Sequence, residues 1–173
     1  MAIASFEFFI IVIFALLTLG ILLIVRWFLN YFMLQQRSVI MKEDHKQLLT
    51  LRLQAYERLT LFLERIHPES LIIREQQSGM LSTQFHNALL KVLRSEFEHN
   101  LAVQIYIPGD TWEMIKSARE QVVKLVNTSA SQVAPNAPSI ELGRVIIEQG
   151  GGDTLRILQK ALAKIKEDVA AMN

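Results

Sequence analysis

The chain has 173 residues, 51% hydrophobic and 20% charged, with 18 Lys and Arg against 17 Asp and Glu. The near-balance of charge argues against a generally basic nucleic-acid binder, and with no cysteine there is no disulfide, thiolate metal site or cysteine nucleophile. A mean hydropathy of +0.26 is high for a water-soluble domain of this size and directs attention to a membrane segment.

Phe8 to Val25 reads FFIIVIFALLTLGILLIV, without a charge. As a helix it would be about 27 Å long, near the thickness of a hydrocarbon core, and Trp27, Phe28, Tyr31 and Phe32 extend it. A cleaved signal peptide would want positive charge before the run and small residues after it; here no Lys or Arg precedes Arg26, and bulky residues follow. The expectation is a retained transmembrane helix over residues 1–34, including its interfacial segment. Arg26, Arg37, Lys42 and Lys46 all follow the span, so the positive-inside rule places the N-terminus outside and the remainder in the cytoplasm. Trp27 and Tyr31, with Arg26 and Arg37, would sit at the inner interface, and Leu16, Leu19 and Leu23 would face lipid or a partner helix. Glu7 falls at the outer edge, where a headgroup-level carboxylate is favoured over an ion site facing a partner.

Residues 35–66 predict a membrane-proximal amphipathic helix with Leu49, Leu53, Tyr56, Leu59, Leu63 and Ile66 on one face, and a break, if any, in the polar stretch Gln35 to Lys46. The region from Arg26 to Ile66 carries a net charge of +3 and residues 67–173 a net −1, as attraction to anionic lipid would require. His67-Pro68 ends the helix; Pro68 to Glu75 predicts a short helix and Gln76 to Gly79 a loop. A helix from Ser82 or Thr83 to near Asn100 buries Phe85, Leu89, Leu90, Val92, Leu93 and Phe97, and LAVQIYI continues it as helix or extended connector. Asp110 to Glu113 predicts a capping box opening a helix that buries Trp112, Ile115, Ala118, Val122, Leu125 and Val126. Gln132 to Ser139 is a loop, Ile140 to Glu148 a short helix, and Gly150 to Gly152 a break. Asp153 would cap the last helix. Its Leu155, Leu158, Leu162, Ile165, Val169 and Met172 repeat at heptad spacing, for packing within the bundle or against a partner. The fold expected is all-α: a single N-terminal transmembrane helix continuing into a cytoplasmic bundle over 67–173, completed by the preceding helix.

The stretches LRLQAYERLTLFLERI (Leu51 to Ile66), EFEHNLAVQIYI (Glu96 to Ile107) and TWEMIKSAREQVVKLVN (Thr111 to Asn127) are similar to an uncharacterised family of small, N-terminally membrane-anchored helical proteins from Bacteroidota. The resemblance covers nearly the whole chain. It implies the inner membrane of a Gram-negative cell, and it brings no activity, cofactor or catalytic residue.

Two Glu-x-x-His pairs, Glu64…His67 and Glu96…His99, have the spacing used in four-helix di-metal sites, with Glu113 or Glu120 and Glu148 or Glu167 as further ligands. Surface charge with a helix-terminal histidine is the blander account, favoured because His67 precedes a proline. Gly150 to Thr154 lacks the lysine of a phosphate loop. Ser82 and His86 share a face without an acid to orient the imidazole. Lys160, Lys164 and Lys166 fit a solvated face better than a lipid contact. The sequence therefore favours a non-enzymatic single-pass inner-membrane protein without cofactor. It would act as accessory or scaffold subunit of a membrane complex, through an integral-membrane partner or self-association. The alternatives are a di-metal carboxylate oxidoreductase and a regulatory subunit of an ion-driven machine.

Overall fold

The computed structural model describes the backbone of residues 2–172 and the side chains of residues 13–14, 16–31 and 46–172. Its helices are α1 (Ala2–Arg65), α2 (Pro68–Glu75), α3 (Ser82–Asn100), α4 (Gly109–Ala130), α5 (Ser139–Gly150) and α6 (Asp153–Ala170), with a 3₁₀ turn at Leu101–Tyr106. The architecture is all-α; among the described residues the extended backbone amounts to one isolated antiparallel bridge, Leu81 to Pro138. The chain divides into two compact units, Met1–Leu48 and Leu49–Asn173.

In the first unit the described side chains from Ile13 to Tyr31 are almost all exposed, Phe14 and Trp27 at 69% and Leu22 at 65% among them. Among the described residues no helix is long and apolar enough to cross a membrane. Five residues at the start of the expected span, Phe8 to Val12, and Ala15 within it have side chains outside that set. The same is true of Glu7, Phe32, Arg37 and Lys42.

The second unit is the bundle. The closing turns of α1 bury Ala55, Tyr56, Leu59, Phe62 and Leu63, with Ile66 just beyond. Leu53, expected inside, is 43% exposed, while Phe62 is 1% exposed. At 3.6 residues per turn the buried stripe runs through 55, 59, 62 and 66, which carries Leu53 off the face. His67 is held extended (φ −55°, ψ 131°), as a residue before proline must be, and Pro68 opens α2. Gly79 turns the loop at φ +78°, a conformation glycine adopts at little cost.

The chain segments entering α3 and α5 cross and are stitched together. The Ser82 amide donates to the Ala137 carbonyl at 2.8 Å and the Ser139 amide to the Met80 carbonyl at 2.9 Å. The Leu81 amide donates to the Gln84 side chain at 3.0 Å, closing the start of α3. These bonds set α5 beside α3 and α2, where an added Cβ at Gly143 would lie 3.4 Å from Ile72. Phe85, Leu89 and Leu93 of α3, Ile115 and Ala118 of α4, Leu142 of α5 and Ala161 of α6 then lose all exposure in one core.

Two expected caps move, one by two residues and the other by one. Pro108 takes the N-cap position with extended dihedrals (φ −56°, ψ 143°), so α4 starts at Gly109 and no side-chain capping bond forms there. Asp110 lies inside the first turn, where its negative charge still suits the helix dipole. Gly152 likewise precedes α6, and Asp153 is its first residue, paired with Arg156 at 2.6 Å. LAVQIYI is a tightened continuation of α3. α4 runs on to Ala130, with Ser129 fully buried in its last turn.

Candidate functional site

The residues of the expected metal site are kept apart by their own partners. Glu96 sits between two guanidinium groups, Arg65 at 2.9 Å and Arg74 at 3.9 Å. Glu64 and His99 are exposed, and the His99 carbonyl accepts from Arg58 at 2.8 Å. His67 is half-buried at the start of α2. Glu113 pairs with Lys116 at 2.6 Å and Glu148 with Arg144 at 2.8 Å, while Glu120 and Glu167 are exposed. Among the described residues no group of three or more His, Asp or Glu could hold a metal ion.

The heptad of α6 is occupied within the molecule. Leu158 and Ile165 are buried, and Leu155, Leu162, Val169 and Met172 pack against the core. Lys164, grouped from sequence with the solvated Lys160 and Lys166, belongs to a polar node that joins three helices. Its Nζ lies 2.9 Å from Asp168 Oδ1 and 3.1 Å from Asp110 Oδ2. Asp168 Oδ2 accepts from the Tyr56 hydroxyl of α1 at 3.1 Å and from the Thr111 hydroxyl of α4 in a short hydrogen bond. Tyr56 and Thr111 are 3% and 0% exposed, so neither hydroxyl has water as a substitute partner.

The node shapes its own electrostatics. Burial pushes the Asp168 carboxyl up, but the bonds from Thr111, Lys164 and Tyr56 outweigh it and hold the group below the usual carboxylate range. Burial, then the bond to Asp168 and its charge, push the Tyr56 phenol up to about 12. Lys164 is raised by its bonds to Asp168 and Asp110, and Asp110 is lowered chiefly by Lys164. A carboxylate this fully engaged is a poor general base; the node fixes helices in place. One sequence signal pointed to it: a buried tyrosine needs an acceptor for its hydroxyl.

Two surface concavities lie elsewhere. One, of about 590 Å³, opens between the α2–α3 loop and the start of α5, with Ile73, Gln76, Met80, Asn136 and Ile140 in its walls and no ionisable lining residue. The other, about 380 Å³, holds Ser82, His86 and Asn127. There His86 Nε2 and Asn127 Oδ1 are 2.9 Å apart, so an amide orients the imidazole where no acid was found in the sequence. The Ser82 hydroxyl donates to the Pro138 carbonyl at 3.2 Å, directed away from a nucleophile's task. Gly151, Gly152 and Asp153 form an exposed turn.

In the first unit Trp27 and Tyr31 stack one helical turn apart, with centroids 5.9 Å apart and planes at 17°. Arg26, Leu16, Leu19 and Leu23 are exposed.

The fold and side chains define a small all-α protein, in which the buried polar residues described above are spent on holding helices together. Its sequence matches a family model described as a family of unknown function, DUF7935, over residues 3–172, and the chain belongs to that family. No curated protein and no solved structure matches it.

Proposed function

We propose that the chain is a non-enzymatic, single-pass inner-membrane protein. Its N-terminal helix is embedded in lipid, its bundle lies on the cytoplasmic side, and it serves as an accessory or scaffold subunit of a membrane assembly. The observation that carries this is the surface of α1 from Ile13 to Tyr31, where fourteen large apolar or aromatic side chains are each 43–69% exposed. A helix apolar on every side has no stable place in water. In sequence the stretch continues the uncharged run from Phe8, with Trp27 and Tyr31 at one end and the basic residues beyond them. The resemblance to anchored proteins of Bacteroidota agrees with a Gram-negative inner membrane.

The scaffold role is supported by the use already made of the reactive groups: Glu96 is clamped by arginines, Asp168 by three donors. The test is topology. Expressed in full with a C-terminal tag, the protein should stay in membranes washed at alkaline pH and keep its tag when protease is added to intact spheroplasts. Release by the wash, loss of the tag to outside protease, or a mature chain lacking residues 8–25 would each refute it.

A further inference from the structure

We propose that the end of the bundle at which α1 enters it is a lipid-contact surface, lodged in the headgroup region of the bilayer. The inference rests on the membrane reading above and says which face of the bundle meets lipid. Three chain segments converge at that end. α3 runs antiparallel to α1: Arg65 pairs with Glu96 at 2.9 Å, the Phe62 and Phe97 rings lie 6.0 Å apart, and Arg58 donates to the His99 carbonyl at 2.8 Å. Each step back along α1 is therefore a step forward along α3 and its 3₁₀ continuation. Leu51 stands about 10 Å before Arg58 along α1, and Ile105 about 12 Å beyond His99, so the two share a level. α6 runs antiparallel to α4: Lys164 and Asp168 reach Asp110 and Thr111 in the first turn of α4, while Gly150, ahead of α6, lies against Leu125. Its last residues, Ala170 and Ala171, thus arrive at the same end.

Where this end is open, it is apolar. Ile105 is 75% exposed, Leu51 and Leu53 43% each and Leu101 38%, and Ala170 and Ala171 are exposed beside them. Val103 and Ile107 are buried and root the 3₁₀ turn, so Ile105 projects from a fixed base. No charged residue occurs from Leu101 to Gly109. Arg52, exposed between the two leucines, offers a cation to lipid phosphate. Contiguous apolar surface of this kind marks an interaction site, and two observations select lipid as its occupant. The six open residues line neither of the concavities described above, and they fall far short of the roughly 20–30 residues a side that a stable protein interface uses. Lipid needs neither a socket nor a minimum area. The bundle begins at Leu49, and the same chain leads back from there to the uncharged run, so a tether would hold even a weak contact at high effective concentration. The second apolar patch, Ile73 and Ile140 around the larger concavity, lies near the opposite end of α3, about 27 Å away, and serves as the comparison.

The test uses the full-length chain, which has no native cysteine, in vesicles of phosphatidylethanolamine and phosphatidylglycerol. Ile105→Cys and Ile140→Cys are made separately and labelled with the polarity-sensitive fluorophore NBD. Both side chains are open, at 75% and 65%, so the label displaces no core, and circular dichroism checks that each variant keeps its helices. Lipid contact predicts blue-shifted NBD emission at position 105, quenched several-fold more strongly than at position 140 by nitroxide lipids placed in both leaflets. Equal quenching at the two positions, or none at 105, overturns the proposal. A blue shift at 105 without quenching also overturns it, because protein then covers the turn in place of lipid. Retention of the chain in alkali-washed vesicles reports the N-terminal helix separately. A retained chain with an unquenched position 105 refutes this inference alone; a chain released by the wash refutes the membrane reading and this inference with it.

Discussion

Replacing Asp168 by Ala removes the shared acceptor of three donors on three helices. The Tyr56 and Thr111 hydroxyls lose a charged partner in positions where water does not reach them. Each such bond is worth about 1.5–3 kcal/mol when the acceptor is ionised. Lys164 keeps Asp110 as its second carboxylate and is open to solvent screening, so its share is small. Losses at one acceptor are not additive, and the space vacated by the carboxylate admits some relaxation. The expected cost is about 3 kcal/mol, against about 1–1.5 kcal/mol for Asp168→Asn, which retains an acceptor oxygen. Urea unfolding of the full chain in detergent, followed by helical circular dichroism, measures it: with a slope of about 2 kcal/mol/M the midpoint should fall by about 1.5 M. The pairing itself is tested by adding Tyr56→Phe. That change costs about 1.5 kcal/mol in the parent and close to nothing once Asp168 is Ala, a coupling of about 1.5 kcal/mol. If Asp168→Ala lies within about 0.5 kcal/mol of the parent, or the two substitutions simply add, the node is not what joins α1, α4 and α6.

The same node sets the pH range of the fold. Asp168 and Asp110 are held below 3.8, so their contribution is present above about pH 4 and lost as acid protonates them in the folded state. Tyr56 moves from 10.0 to about 12 and Lys164 is raised above 10.5, so their contribution is full below about pH 10 and lost on the way to 12 and beyond. Urea midpoints should be flat between these limits and fall outside them, and Asp168→Asn should flatten the acid limb. Gly79→Ala should destabilise by about 1 kcal/mol in the same unfolding assay although nothing crowds the new methyl, because φ is +78°. Gly109→Ala, in equally open space at an ordinary φ, should be neutral or stabilise by up to about 0.5 kcal/mol. Leu59→Ala and Leu89→Ala, both without exposure in the parent, should each cost about 2–5 kcal/mol and lower the thermal midpoint accordingly.

Most helix boundaries were legible because they depend on local chemistry. Pro68 fixes the start of α2, the Gln76 to Gly79 composition marks a turn, and heptad spacing marks the buried stripe of α6 through Leu158 and Ile165. Local patterns failed where a neighbour one or two residues away decided the outcome. Pro108 and Gly152 took the cap positions that the acceptor side chains of Asp110 and Asp153 suggested. The polar node was out of reach for a different reason. Asp168 meets Thr111 across 57 residues and Tyr56 across 112, and no spacing rule connects a hydroxyl to a carboxylate over such intervals. Its members read individually as a core aromatic, a helix-start threonine and surface charges. The expected metal pairs failed in the same way, since Glu96 and Arg74 come together only once α2 folds back beside α3.

The chain holds two tryptophans, and the fold assigns them opposite surroundings. Trp112 is 8% exposed and stacked on Phe97 at 5.6 Å, itself capped by the Arg119 guanidinium; Trp27 is 69% exposed. Each compact unit thus carries its own fluorophore. With Trp27→Phe the remaining emission tracks the bundle alone, insensitive to brominated lipid until it melts. With Trp112→Phe the signal belongs to the N-terminal helix, and the membrane insertion proposed above predicts that bromine placed at its depth quenches it. Two single-indole variants would let the proposed immersion of one unit be tested, and the melting of the other be followed, independently in the same vesicles.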